Sequence, residues 1–176
     1  IGSSGASILT YKGISSSTCA ERTTLKVSWY YNWTTRPDSC STGGEFVPMV
    51  SGKNEKDVSA VTNAINAIAN AGYKTVLGFN EPNKSDQANM TVTKVLELWP
   101  AMVSNPTLRV GSPVTSADAK TWFSDFMTQA NAQGLRVDFI ALHWYGWNSG
   151  SCNTVAELEN YIKWAGYKGD KALLMK

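Results

Sequence analysis

The chain is 176 residues long and nearly neutral, with sixteen Lys and Arg against fourteen Asp and Glu and a net charge of +2. Hydrophobic residues make up 43% and aromatic residues 11%, against 17% charged, which excludes a disordered, collagen-like or coiled-coil chain. The length suits a single domain over 1–176; no basic stripe points to nucleic acid, and no run approaches the ~20 apolar residues of a membrane span.

The opening Ile1-Gly2-Ser3-Ser4-Gly5 has neither Met nor a charged segment leading into an apolar one, so any secretory signal is expected to have been removed or never to have existed. Tyr11 to Ser15, Leu25 to Trp33 and Glu45 to Val50 are the first strand candidates, rich in β-branched and aromatic residues. A helix is predicted from Asn54 to Ala71, where Val58, Val61, Ile65 and Ile68 fall on one face and Gly72 is placed to stop it. The strand Lys74 to Phe79 follows, then a helix from Thr91 to Ser104 with Val95, Leu98 and Met102 inward and Pro100 placed to kink or shorten it. Next come the strand Leu108 to Pro113 and a helix from Asp118 to Gln133 burying Trp122, Phe126 and Ala130, or their neighbours Phe123 and Met127. The strand Val137 to Tyr145 leads to a capping box, Thr154-Val155-Ala156-Glu157, opening a helix with Leu158, Tyr161, Ile162 and Ala165 inward.

From Glu45 onward, successive strands begin about thirty residues apart, the length of a strand, a crossover helix and two connections. Runs such as Val76-Leu77-Gly78-Phe79 and Phe139-Ile140-Ala141-Leu142 are continuously apolar, as parallel strands buried on both faces should be. An α/β fold is predicted, either a doubly wound sheet or a (β/α)₈ TIM barrel. The turn Lys12-Gly13-Ile14-Ser15-Ser16-Ser17 lacks the glycine fingerprint of a doubly wound nucleotide binder, which favours the barrel and directs attention to the C-terminal strand ends.

Three cysteines, Cys19, Cys40 and Cys152, form no CxxC pair and meet a single His, so no metal site is expected. Each lies in a Ser/Gly/Thr-rich stretch, which predicts one disulfide with one cysteine left over and leaves the pairing open. The sequons at Asn32, Asn83 and Asn89 are compatible with secretion and decide little.

The strand ends gather aromatic and polar groups: Trp29-Tyr30-Tyr31-Asn32-Trp33, Gly78-Phe79-Asn80-Glu81-Pro82-Asn83 and Leu142-His143-Trp144-Tyr145-Gly146-Trp147. Glu81 directly follows a buried strand, where poor solvation should raise its pKa and keep a proton available for a leaving oxygen, as a glycosidase acid requires. Asn80 is a neutral donor suited to a sugar hydroxyl. The alternative is an ordinary loop with Glu81 near the positive end of the next helix. His143-Trp144-Tyr145 has a competing reading as core, and Trp33, Trp144 and Trp147 serve equally as core or as platforms for a sugar ring.

Five blocks taken together resemble the strand blocks of glycoside hydrolase family 128: Val27-Ser28-Trp29-Tyr30-Tyr31-Asn32-Trp33, Glu45-Phe46-Val47-Pro48-Met49, Leu77-Gly78-Phe79-Asn80-Glu81-Pro82-Asn83, Arg109-Val110-Gly111-Ser112-Pro113 and Val137-Asp138-Phe139-Ile140-Ala141-Leu142-His143-Trp144-Tyr145. The resemblance runs from about Lys12 to the C-terminus. It implies a retaining (β/α)₈ glycosidase acting on β-1,3-glucan without a cofactor, secreted or held in a cell wall, and monomeric when complete. It further implies Glu81 as general acid/base, Asn80 as a sugar contact, and Tyr31, Trp33, His143, Trp144 and Tyr145 along the cleft; Trp147 is expected to bind substrate from its place on the same rim.

Retaining hydrolysis needs a second carboxylate ~5–5.5 Å from the first, which the family carries at the end of its seventh strand. Here that strand would begin at Lys171-Ala172-Leu173-Leu174-Met175, and the sequence stops at Lys176. The expectation is a barrel truncated within strand 7, without its nucleophile, inactive by itself and exposing sheet edges that make it unstable or prone to pair. Only Asp38 and Asp86 lie in loops that could approach Glu81. The alternatives are a glucan-binding cell-wall or lectin-like protein that does not cleave, and a relative acting on another β-linked polysaccharide.

Overall fold

The structure, a computed structural model, describes residues 11–15, 18–40, 43–116, 118–144, 155–165 and 172–174. These hold β1 (Gly13–Ser15), α1 (Cys19–Leu25), β2 (Trp29–Tyr31), β3 (Glu45–Phe46), α2 (Val58–Asn70), β4 (Thr75–Val76), α3 (Val92–Met102), β5 (Arg109–Val110), α4 (Lys120–Ala132), β6 (Ile140–Leu142), α5 (Val155–Ala165) and β7 (Ala172–Leu174). From β3 onward strand and helix alternate as the periodicity predicts, whereas no helix joins β2 to β3 among the described residues.

Every strand pairing among the described residues is parallel. β1 pairs with β2 and β2 with β3, β4 pairs with β5, and β6 pairs with β7. Parallel bridges Met49↔Leu77 and Gly111↔Phe139 carry the neighbour relation from β3 to β4 and from β5 to β6. Spatial order thus follows chain order from β1 to β7, with no reversal of the kind that defines a doubly wound sheet.

Both faces of this sheet are covered, which explains the continuously apolar strands. On one face Val76 and Val110 pack with Val61, Ile65 and Ile68 of α2, Val95, Leu98, Trp99 and Met102 of α3, and Phe126 and Ala130 of α4. On the other, Trp29, Tyr31, Val47, Met49, Leu77, Val114, Phe139 and Ala141 form a second cluster. Side chains from β2 to β6 meet there. At Gly78 the neighbouring strand comes so close that an added Cβ would stand 2.6 Å from the Ser112 carbonyl oxygen.

The helices begin where local chemistry caps them. Asp57 accepts from the Ala60 amide at 2.8 Å to start α2, and Thr91 accepts from Lys94 at 3.1 Å to start α3. α3 runs on through Pro100, because the buried Leu98, Trp99, Ala101 and Met102 hold its last turn against the sheet. Two expectations change. Leu25 closes α1 instead of opening a strand, since Thr18 and Glu21 form a capping box within the stretch expected to be loop. Val58, expected inward, is the first residue of α2 and 49% exposed. In α4, Phe123, Phe126 and Ala130 are buried, a mixture of the two predicted faces, with Trp122 and Met127 flanking them.

Cys19 of α1 is bonded to Cys40, which settles the pairing. Beside it, Arg22, only 1% exposed, pairs with Asp38 and lies over the Tyr30 ring with its guanidinium carbon 3.7 Å from the centroid. Cys152 lies outside the described residues.

Candidate active site

A cavity of about 350 Å³ opens at the C-terminal ends of the strands, lined by Trp33, Ser51, Lys53, Asn80, Glu81, Gln87, Ala88 and His143. Trp33 follows β2, Ser51 and Lys53 follow β3 and the Met49 bridge, Asn80 and Glu81 follow β4, and His143 follows β6. Parallel packing alone collects them, since every strand delivers its C-terminal end to the same rim.

Glu81 is set by its backbone. Its amide donates to the Val114 carbonyl at 2.6 Å while the adjacent Asn80 amide donates to Ser51 at 2.9 Å, tying this turn to both neighbouring loops. Its φ is +41°, a left-handed conformation that a non-glycine residue adopts at a cost and that clusters at functional sites. The next turn is fastened to the loop after β5. There Asn83 Nδ2 donates to Ser116 Oγ at 2.6 Å, the Ser116 hydroxyl donates to Asp118, and Lys84 Nζ lies 3.1 Å from Asp118. The Ser116 hydroxyl, and then Lys84, hold the Asp118 carboxyl below its ordinary pKa.

The carboxyl of Glu81 is mostly covered, its side chain 13% exposed, and Oε1 is 2.7 Å from Nδ1 of His143, itself 3% exposed. With the ring proton on Nδ1, His143 donates to the Glu81 carboxyl oxygen. Asn80, 7% exposed, directs Nδ2 to Gln87 Oε1 at 3.1 Å. Trp33 also has a positive φ, +56°, and its indole meets the Tyr31 ring edge-on with centroids 5.0 Å apart.

Of the residues predicted for the cleft, Trp33, Asn80, Glu81 and His143 come together on its wall. Tyr31 lies in the buried cluster beneath Trp33, and Trp144 turns away to pack on Tyr161 of α5 at 5.2 Å. Burial, with a smaller push from Asp118, raises the Tyr161 hydroxyl to a pKa of about 12, so it stays neutral there. Tyr145 and Trp147 lie outside the described residues. Ser51, Lys53, Gln87 and Ala88 were missed: they sit in loops beyond the strand ends, where no local pattern signals which residue turns inward.

Glu81 is the one carboxylate among the described residues of the wall. Asp38 is engaged by Arg22, Asp118 by Lys84 and Asp138 by Arg136, while Asp86 is exposed and is not among the residues lining the cavity. No cluster of three metal-ligating side chains occurs among the described residues, and no helix among them is long and apolar enough to cross a membrane.

The family model of the glycosyl hydrolase catalytic core matches residues 8–169. The chain belongs to that family. Among solved structures, this glycosyl hydrolase core is similar to a family 128 subgroup I endo-β-1,3-glucanase from Amycolatopsis mediterranei in complex with laminaritriose. The two are 30% identical with a TM-score of 0.71, over 90% of this chain and 66% of that one. It is also similar to a curdlan-specific exo-β-1,3-glucanase of subgroup III from Blastomyces gilchristii, at 30% identity and TM-score 0.67 over 81% of this chain and 62% of that one. A curated relative, Alkali-sensitive linkage protein 1 of Schizosaccharomyces pombe, is 32% identical over 126 residues, which is 68% of this glycosyl hydrolase core and 22% of the relative. The chain therefore spans less than two thirds of the length of each of these proteins.

Proposed function

We propose that this chain carries the acid/base half of an endo-β-1,3-glucanase working by retaining double displacement. The observation that carries the reading is Glu81: a nearly buried carboxyl, held in left-handed backbone at a strand end and hydrogen-bonded to His143, on a cavity wall shared with Trp33. In its protonated form Glu81 gives its proton to the glycosidic oxygen as the bond to the sugar breaks. Ionised, it then takes a proton from the water that releases the glycosyl-enzyme. His143 aims the carboxyl, and Trp33 offers an indole face to a sugar ring. The likeness to solved β-1,3-glucanases supports that glucan as substrate, and the stronger likeness to subgroup I supports endo action.

The partner carboxylate is assigned to the end of the strand that begins as β7. Seven parallel strands in sequential order, with an inner cluster built from β2 to β6, fit a (β/α)₈ barrel that an eighth strand would close between β7 and β1. On this reading Glu81 needs a second carboxylate to turn over glucan, which no other described residue of the cavity wall supplies. The Cys19–Cys40 disulfide supports a secreted or cell-wall location, because such bonds persist in oxidising surroundings.

A second reading, a glucan-binding protein without hydrolysis, is favoured by the single carboxylate among the described residues of the wall. Glu81→Gln in the full-length protein separates the two. Abolished release of sugar from laminarin with retained glucan binding supports hydrolysis. Unchanged turnover would refute Glu81 as the acid, and binding without turnover in the unaltered protein would favour the second reading.

A further inference from the structure

The three sequons differ in what the fold has already asked of their asparagines. Asn83 is half-buried and engaged at both ends of its amide. Nδ2 donates to Ser116 Oγ at 2.6 Å and Oδ1 accepts from the Ser116 amide at 3.2 Å, which fastens the turn after Glu81 to the loop after β5. Asn32 is also half-buried. Its Nδ2 donates to the Arg36 carbonyl at 3.0 Å and its Oδ1 accepts from the Thr34 amide at 3.2 Å, closing the turn that carries Trp33. Asn89 is exposed, and its side chain makes no hydrogen bond among the described residues.

The neighbours of Asn89 hold it at the surface. Ala88 and Met90 are 2% and 5% exposed, and their amides donate to the Asn80 carbonyl at 3.2 Å and the Pro82 carbonyl at 2.8 Å. Between these two anchored residues the backbone at Asn89 is left-handed, with φ at +48°. Two positions on, the exposed Thr91 caps α3 by accepting from the Lys94 amide at 3.1 Å. Gln87 and Ala88 line the cavity, whereas Asn89 does not.

We propose that Asn89 is an N-glycosylation site and that Asn32 and Asn83 stay unmodified in the folded protein. Asn89-Met90-Thr91 is an acceptor triplet, and the bulk of an N-linked glycan demands a surface position. The donor is an oligosaccharide carried on a lipid diphosphate. A bond forms between Asn89 Nδ2 and the anomeric carbon of the first sugar as the bond from that carbon to the diphosphate breaks. The diphosphate leaves with the electron pair, and the amide nitrogen loses one proton. At Asn89 the sugar displaces no internal contact. At Asn83 it would crowd the nitrogen that ties two rim loops together, and at Asn32 the one that closes the turn before Trp33. The proposal rests on the secreted or cell-wall location given above.

A left-handed turn and a helix cap also favour Asn and Thr at these two positions, so the test separates those roles from the acceptor. The full-length protein is directed into the secretory pathway of a eukaryotic host, and its folded, secreted fraction is collected. Enzymatic release of N-linked glycans in H₂¹⁸O turns each occupied asparagine into ¹⁸O-labelled aspartate, which peptide mass spectrometry locates. Label is expected at Asn89 and at neither Asn32 nor Asn83. Thr91→Ser keeps cap and acceptor and should keep the label. Thr91→Asp keeps the cap and ends the acceptor, and Asn89→Gly keeps the left-handed turn and removes the amide. Both should lose the mobility shift that glycan release produces in the unaltered protein. An unlabelled Asn89, a shift that persists in Thr91→Asp, or label at Asn32 or Asn83 in the folded fraction would overturn the proposal. Fractionation of the protein's own cells judges the location separately: finding it inside would refute the secreted reading, while the label in the directed protein still decides the site.

Discussion

Replacing His143 with Ala tests the core of the proposed chemistry. The bond it removes, Nδ1 to Glu81 Oε1 at 2.7 Å, joins a side chain 3% exposed to one 13% exposed, so water replaces it poorly. A hydrogen bond to a charged group contributes about 1.5–3 kcal/mol. With Nδ1 donating, the bond favours the ionised carboxyl, and its loss should raise the Glu81 pKa. Two measurements read it. ¹³C titration of the Glu81 carboxyl, assigned with Glu81→Gln, should show the midpoint moving up. The alkaline limb of the pH–rate profile on laminarin, which reports ionisation of the acid, should move up with it. Turnover should fall by up to about 10²-fold, since the carboxyl is no longer aimed. His143→Asn, whose amide nitrogen can stand near the Nδ1 position, should recover part of both effects. A midpoint that stays or moves down in a folded His143→Ala protein would show that His143 is not donating to Glu81, and the orienting role would fail.

Three further outcomes follow from the structure. Gly78→Ala places a Cβ 2.6 Å from the Ser112 carbonyl and 2.8 Å from that of Gly111, rigid backbone atoms; chemical denaturation should show a loss of about 1–3 kcal/mol. Opening the Cys19–Cys40 bond, 21 residues apart, by a double Ser replacement should cost about 3 kcal/mol by the chain-entropy relation, and an unchanged denaturation midpoint would argue that the bond constrains nothing. The Arg22 guanidinium holds the Asp38 carboxyl below the ordinary carboxylate range, so the stability this shift provides is present above the unfolded pKa near 3.9 and lost as pH falls through the lower folded value. The difference in melting temperature between Asp38→Asn and the unaltered protein should hold constant from neutrality to about pH 5 and shrink in stronger acid; growth on acidification would contradict the pairing.

The sequence by itself determined the elements and the rim. Val61, Ile65 and Ile68 report a buried face because helical spacing and burial concern one short segment, and Glu81 follows Phe79 within that same local frame. The array of parallel strands and the position of Asn80 and Glu81 at a strand end are therefore legible without coordinates. The α1 helix was equally local, through Thr18 and Glu21, and was obscured only by its polar composition. What tertiary structure alone decided is which distant groups meet. Cys40 takes Cys19, Asp38 goes to Arg22 instead of the cavity, Trp144 packs on Tyr161, and Gln87 turns back to Asn80. Each depends on where a loop returns after many residues, which periodicity does not encode, and each is settled by the need to pair a buried polar group or fill a core.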